Sequence, residues 1–300
     1  MPDSSPESFP DFSPRSGSTT PVAPPTILIH LRPRHGLARI DFGELWHYRD
    51  LLWFLAVRDI KVRYKQTALG ATWAVLQPFA TMVVFSVFFG HLAGMSSQIE
   101  SGIPYPIYTF CALLPWQLFA QAMGASSASL VDSQNLIAKV YFPRLLIPFA
   151  AVIGSLVDFA VAFAILLAMM IIYGIPPGGA ILTLPLLVAF AVLTALAVGL
   201  WLSALSAMYR DFRYTTGFLI QIWLFITPVA YPLSIVPDKW RLLYGLNPMV
   251  GVVEGFRWAL LGSSAPPVFL LVVSLTVVLT TLISGMLYFR AMERTMADWV

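Results

Sequence analysis

Gly124, Ala125, Ser126, Ser127 and Ala128 come close to the turn that presents a serine nucleophile, with alanine where the last glycine belongs. A serine protease built inside a membrane would also need a histidine on a later segment, and all four histidines lie at or before His91. No Asp-x-Asp pair is present to hold the metal of a sugar-nucleotide transferase, and no His-Glu-x-x-His to hold zinc. The lone cysteine, Cys111, sits in an apolar run, which excludes an intrachain disulfide and any cysteine-based metal cluster. No Gly-x-x-x-x-Gly-Lys-Ser/Thr run exists, so ATP cannot be held by a P-loop here. These residues predict a chain that is not an enzyme, has no cofactor of its own and does not bind nucleic acid. If it performs active transport, a separate chain supplies the energy.

What remains is charge placed against apolar sequence. Arg58, Lys61 and Lys65 are three and four apart and form a stripe beside Leu51, Leu52, Leu55 and Val62, which share the other side at helical spacing. A helix of this kind lies on a membrane surface, its long basic side chains reaching anionic headgroups. Arg63 is spaced for an i,i+4 pair with Asp59. Asp158 is the one acidic residue deep in an apolar run, where an unpaired carboxylate costs about 2.5–3.5 kcal/mol on insertion scales. Two readings of it stand, a polar contact in a substrate path or gate, and a hydrogen-bonded packing residue. Asn135, Lys139, Tyr141, Phe142 and Arg144 fall in one short polar loop, and Tyr209, Arg210 and Asp211 in another. Both loops read either as docking surfaces or as ordinary basic connections. Asn247-Pro248 is a turn signal, and Glu254 and Arg257 follow it three apart in an apolar stretch too short to span.

The elements that must position these residues follow from composition. With 58% of its 300 residues hydrophobic and only 11% charged, the chain falls far below the quarter charged that soluble domains carry. It is expected to be an all-α polytopic membrane protein. Residues 1–40 are Pro- and Ser-rich and expected to be largely disordered, with a short strand near Ile27 to Leu31. Residues 41–70 hold a capping-box-like start at Asp41 and Glu44, then the amphipathic interface helix, which Asp50 caps before a turn at Gly70. The first 25 residues lack an apolar core, so the first span does the targeting. A permease domain over 71–290 has six spans, near 73–92, 107–126, 147–173, 181–205, 215–233 and 267–289, and 291–300 is a tail. Pro78, Pro115 and Pro185 predict kinks, and Pro228 with Pro232 a bend or break in the fifth span. Residues 234–262 are expected to form re-entrant helices that dip into the outer leaflet, or else an exposed amphipathic helix.

Orientation follows from lysine and arginine. Fifteen of the 18 fall before the first span, in the loops after spans two and four, or after span six, against three on the other side, which places both termini in the cytoplasm. Trp46, Trp53, Trp73, Trp116, Trp240 and Trp258 mostly fall near predicted interfaces, as anchoring rings do, although such rings also stack on sugars.

Four stretches together resemble the ABC-transporter permeases that export polysaccharides and polyol phosphates, the O-antigen, capsule and teichoic-acid type. They are YRDLLWFLAVRDIKVRYKQTALGATWAVLQP, NLIAKVYFPRLLIP, MYRDFRYTTGF with ITPVAYPLSIVP, and NPMVGVVEGFRWALLG, in the family's order between Tyr48 and Gly262. The resemblance implies a homodimer in the bacterial inner membrane and two copies of a cytoplasmic ATPase that bind the ATP and magnesium. It implies an interface helix over 51–65, a coupling helix over 135–144 and short re-entrant helices over 240–262. Its cargo would be a lipid-linked polysaccharide whose pyrophosphate is drawn to Arg58, Lys61, Arg63 and Lys65. The Pro/Ser-rich start lies outside the resemblance. The same fold moving a small lipid or drug, or a membrane scaffold without transport, are the alternatives.

Overall fold

The computed structural model describes residues 42–65, 72–99 and 102–296, and every regular element among them is helical. The expected disordered start, the strand near Ile27 and the turn at Gly70 lie outside the described residues. In chain order the helices are α1 (Phe42–His47), α2 (Arg49–Lys65), α3 (Thr72–Phe85), α4 (Tyr105–Asp132), α5 (Gln134–Ile137), α6 (Leu146–Ile172), α7 (Leu184–Met208), α8 (Phe212–Ile226), α9 (Asp238–Gly245), α10 (Pro248–Leu261) and α11 (Val268–Met296). α3 runs on as a wider π-helical stretch, Ser86–Leu92, and is followed by a short 3-10 turn, Met95–Gln98. Asp50 does not cap α2; it lies inside the first turn, 3.8 Å from Arg49.

Proline sets several helix boundaries. α4, α7 and α10 each carry proline in the first turn, where the missing N–H is not needed. Pro78 and Pro115 stay inside α3 and α4. α8 stops at Ile226, because Thr227 precedes Pro228 and takes the extended backbone that a residue before proline prefers. The expected fifth span, 215–233, therefore ends seven residues early as a helix.

Among the described residues four stretches are long and apolar enough to cross a membrane: Val75–Leu92, Leu146–Ile172, Ile181–Met208 and Val268–Glu293. α4, with 28 residues and so about 42 Å, has the length as well. It is the bundle's buried centre, walled by α6, α7, α10 and α3. Its approach to α7 depends on Gly199, where a Cβ would stand 2.5 Å from the Ser126 hydroxyl. Small residues let apolar helices close on one another in this way. α8, at 15 residues and about 22 Å, is shorter than the ~30 Å hydrocarbon layer.

Two apolar clusters hold the helices. One is built on Phe110, Phe119, Leu166 and Phe256. The second lies where α4 ends and α6 begins, and joins Leu130, Phe142, Leu146, Leu200 and Phe289 to Leu55 and Ala56 of α2.

Candidate functional site

The polar residues singled out in the sequence collect in three places: partway along α6, in the loops after α4 and α7, and around α10. At the first, α2 lies alongside α6 in the same direction: Leu55 and Ala56 pack in the cluster with Leu146 and Ala150, and Ile60 sits against Gly154. Arg63 and Tyr64 then reach Asp158. The Arg63 guanidinium donates to Asp158 Oδ2 at 2.5 Å, and the Tyr64 hydroxyl donates to Oδ1. Burial first, and then the Asp158 carboxylate, push the Tyr64 phenol up to about 12.

This geometry corrects two expectations. Asp59 is held by its neighbour Arg58, with Nε at 2.9 Å and a terminal nitrogen at 2.7 Å, while Arg63 goes to Asp158. The helix also does not split into one apolar and one basic face. Leu51 and Leu52 are half-buried as foreseen, but Val62 is exposed, and so are Trp53 and Phe54. Lys61 and Lys65 are exposed beside them. The outward side of α2 is therefore aromatic and basic together, a mixture that suits a headgroup layer better than bulk water.

The loop after α4 places four of its five predicted residues around one anchor. Only 134–137 is α-helical, so the expected coupling helix over 135–144 is a single turn, which hydrogen bonds from Ala138 and Val140 extend slightly. Asn135 and Lys139 are exposed, and Tyr141 stands 87% exposed. Phe142, at 5%, drops into the cluster between α4, α6 and α11. Arg144 is tied to the end of α11, its backbone N–H donating to Glu293 Oε1 and its guanidinium to the Glu293 carbonyl, both at 3.3 Å. In the second loop Tyr209, Arg210 and Asp211 are all exposed, and Arg213 bridges to Asp132 at 3.0 Å. Behind these loops a hydroxyl trio joins three helices, Ser127 lying 3.1 Å from Ser206 and 2.9 Å from Thr216. Ser126 and Ser127, the nearest approach to a nucleophile turn, are thus packed between α4, α7 and α8 rather than presented to a substrate. Sequence reasoning missed the trio, because single hydroxyls in apolar runs carry no spacing signal.

At the third place two helices, α9 and α10, occupy the region read as re-entrant. Asn247 caps α10 by accepting from the Met249 N–H at 3.1 Å. Its amide also accepts from the Trp223 indole at 2.9 Å and donates to Thr227 at 3.0 Å. Pro248 opens the helix. Arg257, 0% exposed, pairs with Glu254 at 2.7 Å and lies 3.9 Å over the Tyr108 ring. It also donates to the carbonyls of Val229 at 2.9 Å and Tyr231 at 3.4 Å, while the Tyr105 hydroxyl donates to Ala230 at 2.7 Å. The non-helical backbone after α8 thus finds partners for three successive carbonyls. Irregular backbone in an apolar layer persists only when its polar groups are satisfied in this way. Tyr105, Trp223 and Thr227 complete the network and were not foreseen, since each is an unremarkable residue of an apolar run.

A family model described as "ABC-2 type transporter" matches residues 50–261. The chain is 31% identical over 217 residues to the O-antigen export system permease protein RfbA of Myxococcus xanthus, an alignment covering 71% of this chain and 81% of that protein. It is 26% identical to the protein of the same name from Klebsiella pneumoniae, with the same two shares covered. It is 23% identical over 247 residues to the polysialic acid transport protein KpsM of Escherichia coli, covering 81% of this chain and 93% of that one. A match across more than two thirds of the chain, together with helices that can cross a membrane and loops that gather basic and aromatic side chains at one end, makes this protein a member of the ABC-2 type transporter family, a transport permease.

Proposed function

We propose that the chain is the permease subunit of an ATP-driven exporter that moves lipid-linked polysaccharide across the bacterial inner membrane. The observation that carries this is the likeness, over most of both chains, to permeases whose names specify O-antigen export and polysialic acid transport. Six spans are completed by α4 and by α8 with its non-helical continuation, and α9 and α10 form the re-entrant pair. Two copies of the chain enclose the path, and two cytoplasmic ATPase subunits bind ATP and magnesium. Both termini face the cytoplasm.

In this reading the loop after α4 receives the motor. Tyr141 and Lys139 project as the contact, and Phe142 and Arg144 transmit displacement to α6 and α11, because packed helix ends shift as units. α2 gathers the anionic head of the lipid carrier on Lys61 and Lys65 and, through Arg63, is coupled to Asp158 of α6. Deleting the gene is expected to abolish surface polysaccharide and to accumulate its lipid-linked form inside the cell, with rescue only when the partner ATPase is intact. Undiminished surface polysaccharide in the deletion strain would refute the proposal.

A further inference from the structure

A cavity of about 280 Å³ opens at the end of the bundle where α10 finishes and α11 begins. Its polar lining includes Arg257, Ser263, Gln98 and Glu254, and Pro232 and Pro266 supply apolar wall. Two atoms single it out. Among the described residues neither the Arg257 Nε nor the Ser263 hydroxyl, both buried, has a hydrogen-bond partner, and both residues line this one cavity. A buried donor without a partner costs about 1–3 kcal/mol, so a site that concentrates two of them is arranged for something that satisfies them.

We infer that this cavity is a subsite for one neutral sugar ring of the glycan as it leaves the transporter. The inference rests on the proposed function and adds to it where, and by what chemistry, the cargo is held at the exit end. Charge argues for a neutral ligand, because the guanidinium of Arg257 is matched by Glu254 at 2.7 Å and that of Arg241, also on the wall, by Asp238 at 2.9 Å. Among the described lining residues a phosphate would find no uncompensated cation. Chemistry argues for a polyol: a sugar hydroxyl both donates and accepts, so adjacent hydroxyls can take the Nε–H, exchange with Ser263 and Gln98, and donate to Glu254. The proline walls suit the apolar CH face of the ring. Size agrees, since the volume falls just below the ~300–1,000 Å³ of pockets that take drug-sized molecules, enough for one ring and too little for a lipid tail.

The test uses the full-length chain in lipid nanodiscs. Saturation-transfer NMR is recorded with D-mannose, D-galactose, L-rhamnose and N-acetyl-D-glucosamine offered singly, and with methyl phosphate as the anionic control. At least one sugar is expected to give transfer, and methyl phosphate none. Ser263→Ala, which adds no bulk, and Ser264→Trp, which fills the cavity, should each lower that transfer at least fivefold without moving the melting temperature. Transfer from no sugar, transfer that survives Ser264→Trp, or transfer from methyl phosphate alone would overturn the inference and leave the cavity to water or to an anion. Cells separate it from the broader reading. If deletion of the chain leaves surface glycan intact, the export function falls. If deletion abolishes surface glycan while Ser264→Trp exports at the wild-type level, the exit subsite alone falls.

Discussion

Asp158 shows how a single carboxylate acquires a role that its own neighbourhood in the sequence does not reveal. Of its two readings, the packing one is supported by Arg63 and Tyr64, which arrive from a helix nearly a hundred residues earlier. Its side chain is 12% exposed and that of Arg63 39%, so the pair is only partly shielded and worth less than a buried one. Asp158→Asn should loosen the end of α2 by about 1–2 kcal/mol, read as faster hydrogen exchange over 58–65. Combined with Arg63→Gln, the two effects should fall short of additive, as they do for residues in one pair. Tyr64 adds a pH signature. Its phenol titrates at about 12 in the folded chain against the ordinary 10.0, so folding favours the protonated form. That contribution is complete below pH 10 and is lost as pH rises through about 12. A phenolate absorbance titration of wild type minus Tyr64→Phe should show one group ionising late; a difference curve centred on 10 would show that Tyr64 lies outside the Asp158 network. Arg257 is the opposite case, with no exposure and four partners in reach. Arg257→Gln should cost about 3–5 kcal/mol, the range for breaking a buried pair, seen as a loss of folded protein from the membrane.

Among the elements, the loop between α4 and α6 divides its labour between adjacent residues. Phe142 is buried and Tyr141 is not, because the chain turns out of α5 and must drop one ring into the cluster to hold the turn in place. Phe142→Ala should therefore destabilise the whole bundle by about 3–5 kcal/mol. Tyr141→Ala should leave the melting temperature unchanged yet uncouple ATP hydrolysis by the partner from export. Normal coupling in Tyr141→Ala would remove the docking role from this loop. On α2, charge reversal at Lys61 and Lys65 should depress export with assembly intact, whereas reversal at Arg58 should do less, because Arg58 is already engaged by Asp59. Equal loss at all three positions would mean that the Asp59 contact does not hold Arg58 back.

At the scale of the whole molecule the prediction is topological. A tag after residue 300 should be reachable from the cytoplasmic side alone, and the purified chain should hydrolyse no ATP without its partner. The membrane character, the helical class and the approximate limits of the long helices were already contained in the sequence, because hydrophobic run length and proline position are local properties and a bilayer demands that each segment satisfy its own backbone. The break before Pro228 was legible for the same reason. Family membership was legible too, since its motifs are contiguous stretches. Tertiary structure alone decided the partners: that Asp158 takes Arg63 and Tyr64, that Arg257 and Tyr105 satisfy three successive carbonyls after α8, and that Ser127 meets Ser206 and Thr216. Each of those contacts joins residues distant in the chain. In an apolar bundle many registers bury equal hydrocarbon area, so a polar side chain's partner depends on which helix face comes to lie beside it, a choice made by shape at places such as Gly199 and invisible to periodicity.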